Sequence, residues 1–486
     1  MNSLFKNRFL GALLFLAVGF TIVLQTYAQP ESTSQNVTTV PRKVMTFYYP
    51  WYGTADGPGG AGRTVHWGHI DQANKNIEAS THYPALGAYD SHDPNVIDQH
   101  CRWAKRAGID TFIVSWWGHG DYTDRAMPKI LDGCQRHGLT ATIYYETIPR
   151  PQNPQSAADD ITKLLNKYGS YSAFLKVNKK PVVFIYGRTL QELDLSDWRK
   201  AIEIINTNYK GGFVAIGDQF SQGAARTFDG VHTYNTAGSL RNLSPEAARK
   251  WAVEKYPSWV QLADDAGKIS ALTVIPGYDD TKIRKPGLAV ERYGGDLYRL
   301  QWEEAIKADP HWVLVTSFNE WHEGSEIEPS EEYKEQYIDL TAKFAKLFKA
   351  KDRIVQPTQE KVDNAAIVRK AVASQLKKKP EDVTEGDYSK VTSLDLSYSL
   401  LSDLSPIKEL IGLHRLVLSD TKVSDLTPIK ELNKLRTLGL SYTAVSDLTP
   451  LKKLKDLNTL SLEGTKVSDE QVAELKKALP EIDIHR

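Results

Sequence analysis

Eight short apolar runs, rich in β-branched and aromatic residues, recur at 44–49, 110–116, 140–145, 181–186, 213–217, 230–234, 269–275 and 312–318, with helical patterns between them. The clearest helical stretches are 94–106, 126–137, 156–168, 196–206, 245–266 and 294–308, with another from about 331 to 349. Strand signals alternating with helices demand parallel pairing, because a parallel crossover needs a connection as long as a helix. Eight such units over about 300 residues predict a (β/α)8 barrel. A doubly wound open sheet is the competing architecture, but no glycine-rich phosphate loop follows the first run to favour it. The five glycines between Gly53 and Arg63 are not followed directly by a helix, so they read as a mobile rim loop rather than a phosphate cradle.

A barrel of this kind gathers its active site at the C-terminal ends of its strands. The residues there are Tyr49, Trp51 and Tyr52 after the first run, Trp116, Trp117 and His119 after the second, and Tyr145 and Glu146 after the third. Asp218 follows the fifth, Tyr234 and Asn235 the sixth, Tyr278, Asp279 and Asp280 the seventh, and Asn319, Glu320 and Glu323 the eighth. All 11 Trp lie between Trp51 and Trp321, so flat apolar surfaces are concentrated in this region. Aromatic faces mixed with carboxylates at one rim suit a sugar, whose C–H faces stack on rings while its hydroxyls take hydrogen bonds. Glu320 and Glu323 stand three apart, a spacing that one helical turn brings to one face. Paired carboxylates are what glycosidic cleavage requires, one to protonate the leaving oxygen and one to activate a nucleophile. The competing reading is an acidic helix start favoured by the helix dipole. His322 lies between the two glutamates without a second histidine at ligand spacing, and Asp279 and Asp280 suit a hydrogen-bonded turn, so no metal is expected.

Four segments, Phe47-Tyr48-Tyr49-Pro50-Trp51-Tyr52-Gly53, Ser115-Trp116-Trp117-Gly118, Tyr144-Tyr145-Glu146 and Asn319-Glu320-Trp321-His322-Glu323-Gly324, together resemble glycoside hydrolase family 99. That family comprises the endo-α-mannosidases and endo-α-mannanases, and the resemblance covers roughly residues 42–350. It implies catalysis without metal or other cofactor, with retention of anomeric configuration, through a 1,2-anhydro sugar. On that pattern Glu320 takes the proton of the substrate's own 2-hydroxyl, and Glu323 protonates the leaving oxygen and later activates water. Glu146 and Tyr234 would line the −1 subsite and Trp117 the −2 subsite, where mannan-cutting bacterial members carry Trp and animal glycoprotein enzymes Tyr. Tyr49, Trp51, Tyr278, Asn319 and Trp321 complete the expected substrate-binding set.

Outside the barrel the sequence changes character. Lys6 and Arg8 precede the apolar run 9–24, and Thr26-Tyr27-Ala28 offers a cleavage site after Ala28, so residues 1–28 are expected to be an export signal followed by a flexible lead-in at 29–41. Export would place the chain in the periplasm, on the cell surface or in the medium, with no stable membrane insertion after cleavage. An uncleaved N-terminal anchor is the alternative, since the run falls just short of a spanning helix. Lys plus Arg and Asp plus Glu number 60 each, which gives no basic field to recruit nucleic acid. Cys101 and Cys134 are the two cysteines, too few for a disulfide framework.

A charged, Pro- and Gln-containing linker is expected at 351–361, poor in apolar residues and therefore consistent with separable parts. From 362 to 486 the chain repeats. Leu394-Asp-Leu396, Leu416-Val-Leu418, Leu438-Gly-Leu440 and Leu460-Ser-Leu462 are 22 residues apart, and a Ser-Asp pair follows each at 402, 424, 446 and 468. That period predicts a leucine-rich repeat solenoid resembling the repeats of internalin-like bacterial surface proteins, with a helical N-terminal cap at 365–376 and a closing helix at 469–479. Its expected concave face carries Asp395, Val417, Gly439 and Ser461, with no aromatic stripe for sugar, so a structural or protein-contact role is expected.

The leading expectation is an exported retaining endo-glycosidase acting on internal α-mannosidic bonds, α-1,2 by preference, in mannan, N-glycan or other α-mannose-containing polysaccharide. The alternatives are a barrel associated with surface-polysaccharide biosynthesis, and an adhesion protein whose barrel has lost activity.

Overall fold

The computed structural model describes residues 40–350, Arg353 and 363–486. The expected signal, most of the lead-in and all of the linker except Arg353 lie outside the described residues.

The barrel strands are β1 (Lys43–Tyr48), β2 (Thr111–Trp116), β3 (Thr140–Tyr145), β4 (Lys180–Ile185), β5 (Val214–Gly217), β6 (Gly230–Val231), β7 (Ile269–Val274) and β8 (Trp312–Val315). Each pairs in parallel with the next. β1 also pairs with β8, Lys43 opposite Trp312 and Thr46 opposite Val315, so the sheet closes on itself. That pairing excludes the open-sheet alternative. A main helix follows each strand: α1 (Pro94–Arg106), α2 (Tyr122–His137), α3 (Pro154–Tyr168), α4 (Leu195–Asn208), α5 (Gln222–Thr227), α6 (Pro245–Asp265), α7 (Asp296–Ala308) and α8 (Gln336–Lys349), with single extra turns at Thr189–Glu192 and Ala237–Leu240. Their starts are chemically marked. Asp93, Asp121, Asn153, Asp194, Ser221 and Ser244 each accept a hydrogen bond from a first-turn N–H, satisfying donors that the helix itself leaves free.

Strand alternation divides the apolar residues between two layers. Met45, Phe47, Ile113, Phe184, Ile216, Trp312 and Leu314 fill the barrel interior. Val44, Tyr48, Phe112, Val114, Val183 and Val313 pack with the helices. The interior is therefore solid, and the open space is left to the loops at the strand ends.

Residues 363–486 begin with α9 (Asn364–Gln375) and continue through β9 (Ser393–Asp395), β10 (Arg415–Val417), β11 (Thr437–Gly439), β12 (Thr459–Ser461), α10 (Asp469–Ala478) and β13 (Asp483–His485). The five strands form one parallel ladder in which Leu394, Leu416, Leu438, Leu460 and Ile484 stand in register. The Ile484 rung lies beyond the four repeats read from sequence. The Ser-Asp pairs have a local task. Asp403, Asp425 and Asp447 accept from the N–H of Ser405, Thr427 and Thr449, each at 2.8 Å, starting the short 3-10 turns that back the ladder.

No helix among the described residues is long and apolar enough to cross a membrane.

Candidate active site

A cleft of about 300 Å³ opens at the C-terminal ends of the barrel strands. It is lined by Tyr49, Trp51, His66, Trp117, Tyr144, Glu146, Tyr186, Arg188, Tyr234, Ile283, Arg284, Glu320, His322 and Glu323. Seven of the ten residues expected from sequence meet there: Tyr49, Trp51, Trp117, Glu146, Tyr234, Glu320 and Glu323.

The acid pair is set by the turn after β8. Glu320 caps a 3-10 turn at Trp321–Glu323, its Oε1 accepting from the His322 N–H at 3.1 Å. Gly324 ends that turn in the left-handed region, φ 53°, and a Cβ there would stand 3.1 Å from the carbonyl oxygen of Asp279. Glycine lets the turn press against the ribbon at Tyr278–Asp279, where a side chain would collide with backbone. Both glutamates consequently face one cleft. The Tyr52 hydroxyl, which accepts from the Trp321 N–H at 2.9 Å, lies 3.4 Å from Glu320 Oε1. Glu320 Oε2 is buried and has no hydrogen-bond partner among the described residues. A carboxylate oxygen in that state carries a desolvation cost that a hydroxyl group placed in the cleft would relieve. Glu323 Oε2 accepts from the Tyr234 hydroxyl at 2.8 Å, and its Oε1 lies 3.4 Å from Arg284.

Burial raises both carboxyls above the usual range, and for Glu320 the charge of Glu323 adds to the effect. The Tyr234 hydroxyl and the Arg284 guanidinium restrain the rise of Glu323. The rise of Glu320 is restrained instead by the His322 N–H and the Tyr52 hydroxyl. Glu146 is the third carboxyl of the cleft; it accepts from the Ser115 hydroxyl at 2.8 Å and faces Arg188 at 3.4 Å. Burial pushes it up to about 8, so it carries a proton at neutral pH and can donate as well as accept.

The aromatic wall is linked to these groups. Trp117 Nε1 donates to Ser115 Oγ at 3.0 Å, which in turn donates to Glu146. The Arg188 guanidinium lies 4.6 Å from the Trp117 ring, so one side of the indole has a cationic neighbour. Trp51 stacks on His66 with centroids 4.7 Å apart and 9° between planes. Burial lowers His66 to about 4 and also lowers His322, which keeps both rings neutral near pH 7. Asp218 ties three loops together: its carboxylate accepts from the Tyr144 hydroxyl at 2.9 Å, the Gly187 N–H at 3.0 Å and the Tyr234 N–H at 2.9 Å.

Three residues expected to touch substrate stand behind the wall instead. Asn319 is fully buried and bonds both backbone groups of Tyr49, accepting at 2.8 Å and donating at 3.1 Å, which fixes the β1 and β8 ends relative to each other. Trp321 is fully buried, its Nε1 within 3.1 Å of Glu328 and 3.2 Å of the Tyr89 hydroxyl. Tyr278 is buried beside Asp280 and Arg284, and its hydroxyl reaches the Glu323 carboxyl from that side. In each case the polar atoms of the side chain are satisfied by protein neighbours. Conversely, His66, Tyr186, Arg188, Ile283 and Arg284 line the cleft without having been anticipated. Tyr186 and Arg188 follow β4, so the strand-end rule that selected the others also reaches them. His66, Ile283 and Arg284 sit on long loops with no periodic signal.

A carboxyl pair in an aromatic-walled cleft at the C-terminal mouth of a closed parallel barrel is the constellation of an enzyme that breaks glycosidic bonds. Residues 39–352 match the family described as glycosyl hydrolase family 99, and the chain belongs to it. It is a glycoside hydrolase. The chain is 28% identical over 373 residues to a glycoprotein endo-alpha-1,2-mannosidase-like protein of Mus musculus, covering 66% of this chain and 80% of that one. It is 26% identical over 367 residues to the glycoprotein endo-alpha-1,2-mannosidase of the same organism, covering 63% and 75%. Among solved structures it is similar to the family 99 endo-alpha-mannosidase of Bacteroides thetaiotaomicron, with a TM-score of 0.54 and 28% identity, covering 63% of this chain and 98% of that one.

Proposed function

We propose that this protein is an exported, retaining endo-α-mannosidase that cleaves internal α-mannosidic bonds, α-1,2 by preference, in mannan or N-glycan-type substrates. The observation that carries this reading is the unpartnered Oε2 of Glu320 in the same cleft as Glu323. In the reaction we infer, Glu320 removes the proton of the substrate's 2-hydroxyl, and O2 attacks the anomeric carbon. The bond to the leaving sugar breaks, and Glu323 gives its proton to the departing oxygen. The intermediate is a 1,2-anhydro sugar. Water then attacks the same carbon, losing its proton to Glu323, while O2 recovers its proton from Glu320. Two inversions give net retention.

The bound substrate sorts the protons. Burial favours the acid form of both carboxyls, and the charge of each opposes ionisation of the other. A 2-hydroxyl donating to Glu320 Oε2 stabilises the ionised form there. A glycosidic oxygen accepting from Glu323 stabilises the acid form there. The neutral carboxyl of Glu146, with Tyr234, suits the hydroxyls of the −1 sugar, and Trp117 with Arg188 suits the −2 sugar. A purely adhesive role leaves a buried, unpaired carboxylate oxygen without a purpose. For residues 363–486 we propose a leucine-rich repeat solenoid, supported by the 22-residue period and the in-register leucine ladder.

The test separates the two glutamates. Glu323→Gln is expected to slow hydrolysis of unactivated mannosides by about 10²–10⁴-fold, as for a lost general acid, with recovery on an aryl substrate whose leaving group needs no proton. Glu320→Gln is expected to be inactive on both. Hydrolysis of mannan by Glu320→Gln at the parent rate would refute the assignment.

A further inference from the structure

The apolar-poor linker suggested separable parts, yet one edge of the repeat ladder lies against the barrel's outer helices. The edge is built from equivalent residues of successive repeats, Tyr398, Asp420, Tyr442 and Gly464, 22 apart and all left-handed, with φ of 60°, 59°, 59° and 66°. Glycine suits that conformation best, and side chains there are disfavoured. Three repeats nevertheless carry one, and those three side chains meet the barrel. Arg199 of α4 places its guanidinium 4.0 Å from the Tyr442 ring, and its Nη2 lies 2.8 Å from Asp420 Oδ1. The same guanidinium donates to Thr227 Oγ1 at 3.2 Å, which anchors it on the barrel side. Arg226 of α5 donates to the carbonyl oxygen of Ser399, and Lys200 of α4 pairs with Glu463 at 2.9 Å. At Gly223 of α5 a Cβ would stand 3.0 Å from the Tyr398 ring, so glycine lets that ring approach the helix. The fourth position is glycine because a Cβ at 464 would stand 2.4 Å from the Tyr442 ring.

The ion pair at the centre is not a surface pair. The side chains of Arg199 and Asp420 are 15% and 10% exposed, so water does little to screen them. We propose that the repeats are a fixed brace of the barrel rather than a tethered arm, their edge recognising α4 and α5 through the Arg199, Asp420 and Tyr442 cluster flanked by Tyr398 on Gly223 and Glu463 on Lys200. α4 and α5 follow the loops that carry Arg188 and Asp218, so the brace holds two of the units that build the cleft from their outer side. This inference is independent of the substrate assignment.

A protease site inserted at 354–362 of the full chain allows the linker to be cut after folding, so that docking alone holds the halves together. The cut parent protein is expected to co-migrate as one species at micromolar concentration. Arg199→Glu, cut in the same way, is expected to fall apart, with association weakened about tenfold or more by the like charges then facing each other. Unchanged hydrolysis of an aryl substrate reports that its barrel is folded. Should Arg199→Glu fail to fold, Asp420→Ser makes the same test from the repeat side. Separation of the parent halves on cutting, or co-migration of the folded variant halves as tightly as the parent's, overturns the proposal.

Discussion

Arg284 offers a quantitative test of how the acid of the pair is tuned. Its Nη1 lies 2.5 Å from Asp280, 2.8 Å from the Tyr278 hydroxyl and 3.4 Å from Glu323 Oε1, and its Nη2 lies 3.5 Å from the same oxygen. The guanidinium favours the ionised form of Glu323, so Arg284→Met should make Glu323 hold its proton to higher pH. Coulomb's law at that distance with an effective dielectric constant of 20 gives about 5 kcal/mol. Two facts shrink this: the Arg284 side chain is 51% exposed, and the Asp280 carboxylate lies closer to the guanidinium than Glu323 does. Solvent-screened pairs retain about 1 kcal/mol or less, which at 1.36 kcal/mol per unit is a rise of about half a pH unit. Tyr234, Glu320 and Glu146 keep their places beside Glu323, while the Tyr278 hydroxyl and the Asp280 carboxylate each lose a bond to the guanidinium, and the uncovered Asp280 charge acts in the same direction. The assay is kcat/KM against pH on an unactivated mannooligosaccharide. The alkaline limb, where the general acid loses its proton, is expected to move up by about half a unit. The shift should shrink at high salt. On an aryl substrate with a good leaving group, which needs no proton from Glu323, the limb should be weak in both proteins. An alkaline limb that stays in place or moves down would refute the reasoning.

Two further substitutions test the walls of the cleft. Glu146→Gln replaces a buried carboxyl with a neutral group of the same shape. Because burial raises Glu146 to about 8, the folded protein binds a proton that the unfolded chain releases near its ordinary value, and the parent loses stability as pH rises from about 4.5 to 8. Melting curves at pH 6 and pH 9 should therefore show a smaller fall for the variant, the parent's extra loss being on the order of a few kcal/mol; equal falls would show that Glu146 ionises freely. Trp117→Ala removes both the stacking face and the seat of Arg188, and should lower kcat/KM for mannose-α-mannose and glucose-α-mannose substrates alike. Trp117→Tyr keeps a ring and adds a hydroxyl, so it should lower the first more than the second. An unchanged ratio would move Trp117 out of the −2 subsite.

The barrel was legible because its eight strands are buried on both faces and so read as continuous apolar runs, a signal that survives without any contact information. The cleft was legible only as far as the strand-end rule reaches. That rule finds Tyr49, Glu146, Tyr234 and the acid pair because a side chain just beyond a strand has a direction fixed by the strand. It cannot tell which of two neighbours faces the cleft. Asn319 and Trp321 flank Glu320 in sequence, yet the tight turn sends them into the protein, where Tyr49, Tyr89 and Glu328 satisfy their polar atoms. Residues on long loops escaped altogether, since His66 and Arg284 owe their positions to contacts made far away in the chain. His66 reaches the cleft by stacking on Trp51, and Arg284 is oriented by Asp280, whose other oxygen accepts from the Leu288 N–H at 2.6 Å.

The same limit explains why the contact between the repeats and the barrel was not anticipated. A linker's composition reports only on the linker. The residues that join the two parts are a few groups spread over successive repeats, and each has an unremarkable neighbourhood in sequence. The φ that marks them is invisible until the ladder is built, and only then do a tyrosine, an aspartate and a second tyrosine at 22-residue intervals become one surface. Asp420 shows the consequence most clearly. Both of its cationic neighbours belong to the barrel: against Arg199 and Arg226 it is a buried carboxylate whose rise on burial is opposed by two guanidinium groups.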